Sequence, residues 1–243
     1  MSNRSIRKKP HVDAKMGLGG IKSNKIIILP NADKKWHESW TPDRDLLNIP
    51  HPCRVLCMGP PNVGKSTLAK NILLKADPPY QELYVIHCDP EFTQEYDDLG
   101  DFKMLEKVPE PAFWRGAVKT LVILDDLEFK AMGKKERKHL DRLFGYVSTH
   151  KNISVILCAQ EAFSVPTVCR RMANVWVLWR QKDTDSLNAI GRKIGLSVRY
   201  MRLLFDRLLT EPRDFIMVDG TPRSPAPYRK NAYQKIDIDA LLV

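Results

Sequence analysis

The chain has 243 residues, with 39 Lys and Arg against 29 Asp and Glu, and a formal charge of +10. This length suits one medium α/β domain or at most two small ones. Hydrophobic residues at 43% and charged residues at 28% exclude a collagen-like or wholly disordered chain. Apolar runs such as 121–124 and 175–179 fall far short of the ~18 residues of a membrane-spanning helix. The start is polar and basic with no apolar segment behind it, so neither membrane insertion nor secretion is expected.

Taken in order, residues 1–24 are basic, Gly-containing and without periodicity, and read as a flexible arm. Residues 25–29 read as a strand, and 30–52, with four prolines around Trp36 and Trp40, as an irregular wrap. Strand-like runs then appear at 54–58, 83–88, 120–124, 153–158 and 175–179. They are rich in Val, Ile and Leu with little polar alternation, as strands covered on both faces require. Helical stretches lie between them at 65–75 and 134–147. Two more follow at about 183–194 and 197–209, then a strand at 215–218 and a Pro- and Arg-rich segment at 221–230. Strands alternating with helices predict an α/β fold, a mostly parallel sheet flanked by helices on both faces. The expected organisation is the arm at 1–24 and a single domain at 25–243, with its core at about 53–182 and a helical and strand extension at 183–243.

The charge is unevenly placed. Residues 1–35 carry a net +7 and residues 191–235 a net +6, while 36–190 carry −1. A local basic stretch (Lys130, Lys134, Lys135, Arg137, Lys138 and Arg142) also follows the run at 120–124. Both this stretch and the C-terminal block, where Arg is interleaved with Tyr200, Tyr228 and Tyr233, offer contact with a phosphate backbone; solvated faces are the plainer alternative. The five cysteines contain no Cys-x-x-Cys pair. Cys53 and Cys57 would lie about 13 Å apart along one strand, too far for a disulfide, so buried free thiols are expected.

Three motifs carry chemistry. Gly59-Pro60-Pro61-Asn62-Val63-Gly64-Lys65-Ser66-Thr67 matches G-x-x-x-x-G-K-[ST] in full, between a strand and a helix. Its backbone N–H groups and the helix N-terminus suit the phosphates of ATP. Lys65 would reach the β- and γ-phosphates, and Ser66 would ligate Mg²⁺. The run at 121–124 ends in Asp125 and Asp126, which a buried strand would deliver to its C-terminal edge. Asp125 would hold Mg²⁺, and Asp126 would orient or deprotonate the attacking water. The strand at 153–158 leads to Gln160, placed to contact the γ-phosphate or that water if this strand neighbours the one before the phosphate loop. A ring-forming ATPase also needs an arginine from the neighbouring subunit. Arg170 is the first candidate, with Arg171 and Arg180 beside it.

Together these motifs resemble the viral genome-packaging ATPases of the poxvirus type, within the HerA/FtsK group of DNA translocases. The resemblance spans about 53–230. It rests on the phosphate loop, Leu124-Asp125-Asp126, the segment from Thr149 through Asn152 to Gln160, and Arg171-Met172-Ala173-Asn174-Val175. Asp183 to Ser186 and Tyr228-Arg229-Lys230-Asn231 add to it. It implies a RecA-like core, assembly into a homo-oligomeric ring (pentamer or hexamer) and ATP-driven movement of double-stranded DNA into a capsid. A capsid or portal-vertex protein is the implied partner, and the virion and infected host cell the implied location. It carries over Lys65, Ser66, Asp125, Asp126 and Gln160 in the roles argued above. The family's second carboxylate is Asp or Glu, and Glu128 lies close enough to compete with Asp126. Superfamily 3 viral helicases share a Gly-Pro-Pro-x-x-Gly-Lys-Ser loop, but they end the next sensor strand in Asn where this chain has Gln160. A nucleotide kinase would leave the Asp125-Asp126 pair without a purpose. Intact Lys65, Asp125 and Asp126 argue against a non-catalytic DNA-binding module.

Overall fold

The apolar runs become strands because each can bury both of its faces. The fold is that of a computed structural model describing residues 47–91, 93–222 and 224–241. The expected arm at 1–24, the strand at 25–29 and most of the wrap at 30–52 lie outside the described residues. The strands are β1 (Arg54–Met58), β2 (Glu82–His87), β3 (Lys103–Leu105), β4 (Thr120–Asp125), β5 (Ile153–Ala159), β6 (Val175–Trp179), β7 (Phe215–Asp219), β8 (Tyr228–Lys230) and β9 (Gln234–Lys235). The helices are α1 (Lys65–Leu74), α2 (Lys134–Arg142), α3 (Thr167–Met172), α4 (Thr184–Ile194), α5 (Val198–Leu208) and α6 (Ile238–Leu241). The expected helix at 134–147 is α2 followed by a π turn at Leu143–Val147 and one further turn at Ser148–His150. In that turn Leu143, Phe144 and Val147 are buried, and the Phe144 carbonyl accepts from the Arg54 guanidinium at 3.4 Å.

All nine strands form one sheet, in the order β3-β2-β4-β5-β1-β6-β7-β8-β9. The pairings from β3 to β6 are parallel, and those from β6 to β9 antiparallel. Every residue of β4, β5 and β6 is buried, which is why these runs show no polar alternation. Alternate residues divide between two cores. Val55, Cys57, Leu121, Ile123, Ile156 and Cys158 pack with Leu68, Ala69 and Ile72 of α1. Leu56, Met58, Val122, Leu124, Val155 and Leu157 face the opposite side, with Leu140 of α2 and residues of α4 and α5. Each buried aliphatic side chain contributes about 1.5–3 kcal/mol relative to exposure, so the sheet is secured from both sides. Helices thus cover both faces, as expected.

The strand order has one consequence for function. β5 pairs in parallel with both β1 and β4, so it separates the strand before the phosphate loop from the strand ending in Asp125. The C-terminal ends of all three therefore meet at one edge. Gly59 continues this contact by donating its N–H to the Ala159 carbonyl at 3.2 Å.

Two expectations change. Cys53, Cys57, Cys158 and Cys169 are buried and outside any disulfide, but Cys88 is exposed because it lies just past β2, where the chain leaves the sheet. The C-terminal basic block is not wholly a surface. Arg229 is 1% exposed and donates to the carbonyls of Leu47, Asn48 and Ala232. It anchors the segment before β1 to β8 and is not available to a phosphate backbone.

A buried histidine gives the fold a pH dependence. His51 Nε2 donates to Asn152 Oδ1 at 2.6 Å, and Nδ1 accepts from Ser154 Oγ at 2.8 Å, the neutral tautomer. Burial lowers its pKa from 6.5 to about 4; the bond to Asn152 opposes this and the charge of Lys119 adds to it. Below pH 6.5 the unfolded chain takes up a proton that the folded chain refuses until about pH 4. The contribution of His51 to stability should therefore fall as the pH is lowered through this window, by up to about 3 kcal/mol, and be constant above it. Urea midpoints measured across this range for wild type and His51→Gln check this, because the variant should lose that component of the slope.

Candidate active site at the phosphate loop

The phosphate loop is shaped by backbone constraints that its residue types satisfy. A Cβ on Gly59 would stand 2.8 Å from Trp179 Cβ and 3.0 Å from Val63 Cγ2, so the loop can leave β1 here only as glycine. Asn62 and Gly64 adopt φ of 62° and 100°, the left-handed region that Asn and Gly tolerate best. Gly64 is the N-cap of α1 and offers no side chain to the first-turn N–H groups, and that turn contains no acid. A ten-residue helix with an unfilled N-terminus is an anion site. Lys65 is 8% exposed and folds back on the loop, its Nζ donating to the carbonyls of Gly59 at 3.0 Å and Pro60 at 2.8 Å. Its charge is thus held beside those N–H groups.

Ser66 and Asp125, far apart in sequence, meet here. Ser66 Oγ donates to Asp125 Oδ2 at 2.9 Å. The same oxygen accepts from the Tyr96 hydroxyl at 2.6 Å. Tyr96 is fully buried, and its phenol is pushed far above its ordinary pKa by burial and by the Asp125 carboxylate, so it stays a donor. A hydroxyl and a carboxylate converging on one point form the hard-oxygen pair that suits Mg²⁺, which takes few protein ligands and completes its shell with phosphate and water. Among the described residues there is no cluster of three or more His, Cys, Asp or Glu side chains able to hold a metal without such help.

Asp126 follows β4 in a left-handed conformation, φ 47°, which turns its side chain out of the sheet. It is exposed, and its Oδ2 lies 4.0 Å from His87 Nε2 at the end of β2. Gln160, just past β5, is exposed too. Pro61, Asn62, Gly64, Lys65, Ser66, Thr67, Asp125, Asp126 and Gln160 line one cleft of about 420 Å³. Pro60 and Val63 face the neighbouring groove, and Gly59 lies beneath at the β1–β5 contact. Glu128 is absent from this cleft. It lines an outer cavity with Cys88, Glu161, Asp126 and Gln160.

The three arginines differ. Arg180 is committed within its own chain, donating to Asp206 at 2.7 Å and to the carbonyls of Phe205 and Leu209 at 2.7 and 2.9 Å, which caps α5. Arg170, half-buried, donates to the Val165 carbonyl at 3.2 Å and lies over the Phe163 ring. Arg171 is exposed. None of the three lines the cleft of its own chain.

Several residues of the site carry no motif. Tyr96 and Glu95 come from the loop after β2, and Arg213 from the loop before β7. On the other side of Gly64 and Thr67 lies an apolar recess of about 230 Å³, walled by Trp179, Phe215, Leu68 and Tyr233. In the sequence these four residues belong to an expected helix, two expected strands and the C-terminal basic block, and no motif joins them.

The same fold occurs in the genome-packaging NTPase B204 of Sulfolobus turreted icosahedral virus 2, solved with AMPPCP. It is 13% identical, the match covers 76% of this chain and 98% of that one, and the TM-score is 0.54. B204 of Sulfolobus turreted icosahedral virus, a DNA-packaging ATPase, is 16% identical over 76% of this chain and 98% of that one, with a TM-score of 0.55. The pCW3 conjugation coupling protein TcpA, solved as a monomer with ATPγS, is 15% identical over 81% of this chain and 64% of that one, with a TM-score of 0.51. No family model and no curated protein matches the sequence. The likeness is one of fold: an α/β fold with a mostly parallel sheet flanked by helices, here carrying a phosphate loop between β1 and α1.

Proposed function

We propose that this protein is a Mg²⁺-dependent ATPase that translocates double-stranded DNA, as a homo-oligomeric ring that packages a viral genome into a capsid. The observation that carries the ATPase reading is one cleft uniting the uncapped N-terminus of α1, Lys65, the Ser66–Asp125 pair, Asp126 and Gln160. Support for DNA as the cargo comes from the shared fold of B204 and TcpA, and from the exposed Lys134, Lys135, Lys138 and Arg142 along α2. The poxvirus-type role, the capsid or portal-vertex partner, the virion and infected-cell location and the arm-plus-single-domain organisation belong to the same reading. They rest on the motif resemblance.

In this reading the base of ATP enters the apolar recess and the phosphates lie along the loop. Mg²⁺, when bound, supplies charge neutralisation at the β- and γ-phosphate oxygens. Ser66 Oγ and Asp125 Oδ2 are the protein oxygens that would hold it, with Tyr96 orienting Asp125. Lys65 exchanges its loop carbonyls for phosphate oxygens. Asp126 accepts a proton from the attacking water, and Gln160, on the strand beside β1, contacts the same water or the γ-phosphate. An arginine from the adjacent subunit completes the charge. Arg170 remains the first candidate, with Arg171 the less engaged of its neighbours.

The test is phosphate release with and without double-stranded DNA. Stimulation by duplex DNA is expected; unwinding of a forked duplex would instead favour the helicase reading. If about five phosphates are contacted, log affinity for duplex DNA should fall against log salt with a slope near −4.5. Binding that is flat with salt would remove the basic surface from the mechanism.

A further inference from the structure

Four recesses adjoin along the C-terminal edge of the sheet: the apolar recess, the phosphate cleft, the outer cavity and the groove lined by Pro60 and Val63, which touches the other three. The apolar recess shares Gly64, Thr67 and Arg213 with the phosphate cleft. The phosphate cleft shares Asp126 and Gln160 with the outer cavity, which has no lining residue in common with the apolar recess. A nucleotide with its base in the apolar recess and its phosphates in the cleft passes the residues that the two share, Arg213 among them.

Arg213 is built for that crossing. Its side chain is exposed, and its guanidinium makes no hydrogen bond or ion pair among the described residues. Its backbone, in contrast, is held. The Arg213 carbonyl accepts from Trp179 Nε1 at 3.2 Å. The next residue, Asp214, is 7% exposed and accepts from the N–H groups of Thr210 and Glu211 at 3.1 and 3.0 Å, from Asn231 Nδ2 at 2.6 Å and from Lys230 Nζ at 2.8 Å. Burial opposes ionisation of Asp214, but these donors, Asn231 and Lys230 foremost, hold its carboxyl well below the usual range. A free cation on an immobilised backbone is a preorganised phosphate ligand.

We infer that Arg213 is a nucleotide-binding residue of its own chain, gripping the α-phosphate and ribose end of ATP. This rests on the ATPase reading. It is distinct from the trans-acting arginine, because Arg213 lines both the apolar recess and the phosphate cleft of its own chain. A charge-assisted contact to a phosphate predicts a roughly 10- to 100-fold weaker affinity when it is removed. A grip at the α-phosphate predicts that loss for AMP, ADP and a non-hydrolysable ATP analogue alike.

Isothermal titration of the full chain with these three nucleotides, for wild type, Arg213→Ala, Arg213→Lys and Lys65→Ala, tests it. Arg213→Ala should weaken all three by a similar factor, Arg213→Lys should recover part of the loss, and Lys65→Ala should weaken the ATP analogue and ADP far more than AMP. Unfolding midpoints without nucleotide should be unchanged for Arg213→Ala. Affinities equal to wild type, or a loss confined to the triphosphate, would overturn the assignment while leaving the ATPase reading intact. A wild type that binds none of the three would remove that reading and this inference with it.

Discussion

Asp126→Asn should lower phosphate release by about 10²–10⁴-fold at saturating ATP and Mg²⁺, with an unchanged unfolding midpoint. The magnitude follows from the proposed role of general base: an amide cannot accept the proton of the attacking water. The unchanged fold follows from the surroundings. Asp126 is exposed, its nearest charged neighbour is His87 at 4.0 Å, and its left-handed backbone suits Asn as well as Asp. Two other acids are near enough to serve as controls. Glu128 lines the outer cavity and not the phosphate cleft, so Glu128→Gln should retain most activity. Glu95 does line the cleft, from the loop that also delivers Tyr96. Full activity in Asp126→Asn with a collapse in Glu95→Gln would transfer the base role to Glu95.

Trp179→Ala should cost about 3–5 kcal/mol, the range for removing a buried large aromatic. Trp179 is 1% exposed, sits 5.2 Å from the Phe215 ring and donates its indole N–H to Arg213. It also crowds Gly59, where a Cβ would meet Trp179 Cβ at 2.8 Å, so the side chain backs the start of the phosphate loop. Beyond the lost stability, the variant should bind nucleotide more weakly, because Trp179 walls the apolar recess. Trp179→Phe keeps a ring against Phe215 and loses the donor to Arg213, so a cost nearer 1 kcal/mol is expected. Urea unfolding of the two variants separates these effects; an Ala variant within 1 kcal/mol of wild type would contradict the packing assigned to this side chain.

Much of this was legible in the sequence, and the exceptions share a cause. The runs of β1, β4, β5 and β6 were readable because burial on both faces leaves unbroken Val, Ile and Leu. The phosphate loop was readable because its conformation demands Gly at fixed offsets. β3, β8 and β9, two or three residues each, carry too little pattern to register. Tyr96, Glu95 and Arg213 sit in connecting loops, where no periodicity marks a side chain for a site. Arg229 looked like surface charge because composition does not record depth, yet the backbone carbonyls around it draw the guanidinium inside.

By itself, the sequence determined the α/β class, the phosphate loop and the acids and amide that end its buried strands, since each depends on local backbone geometry and local burial. Only the tertiary structure decided that β5 lies between β1 and β4, which brings Ser66 within 2.9 Å of Asp125 and Gln160 into the same cleft. It also decided which basic residues face solvent and which, like Arg180 and Arg229, are spent on carbonyls of the fold. Strand order and side-chain depth are settled by burying apolar surface across the whole sheet at once, a condition that no single segment of the chain records.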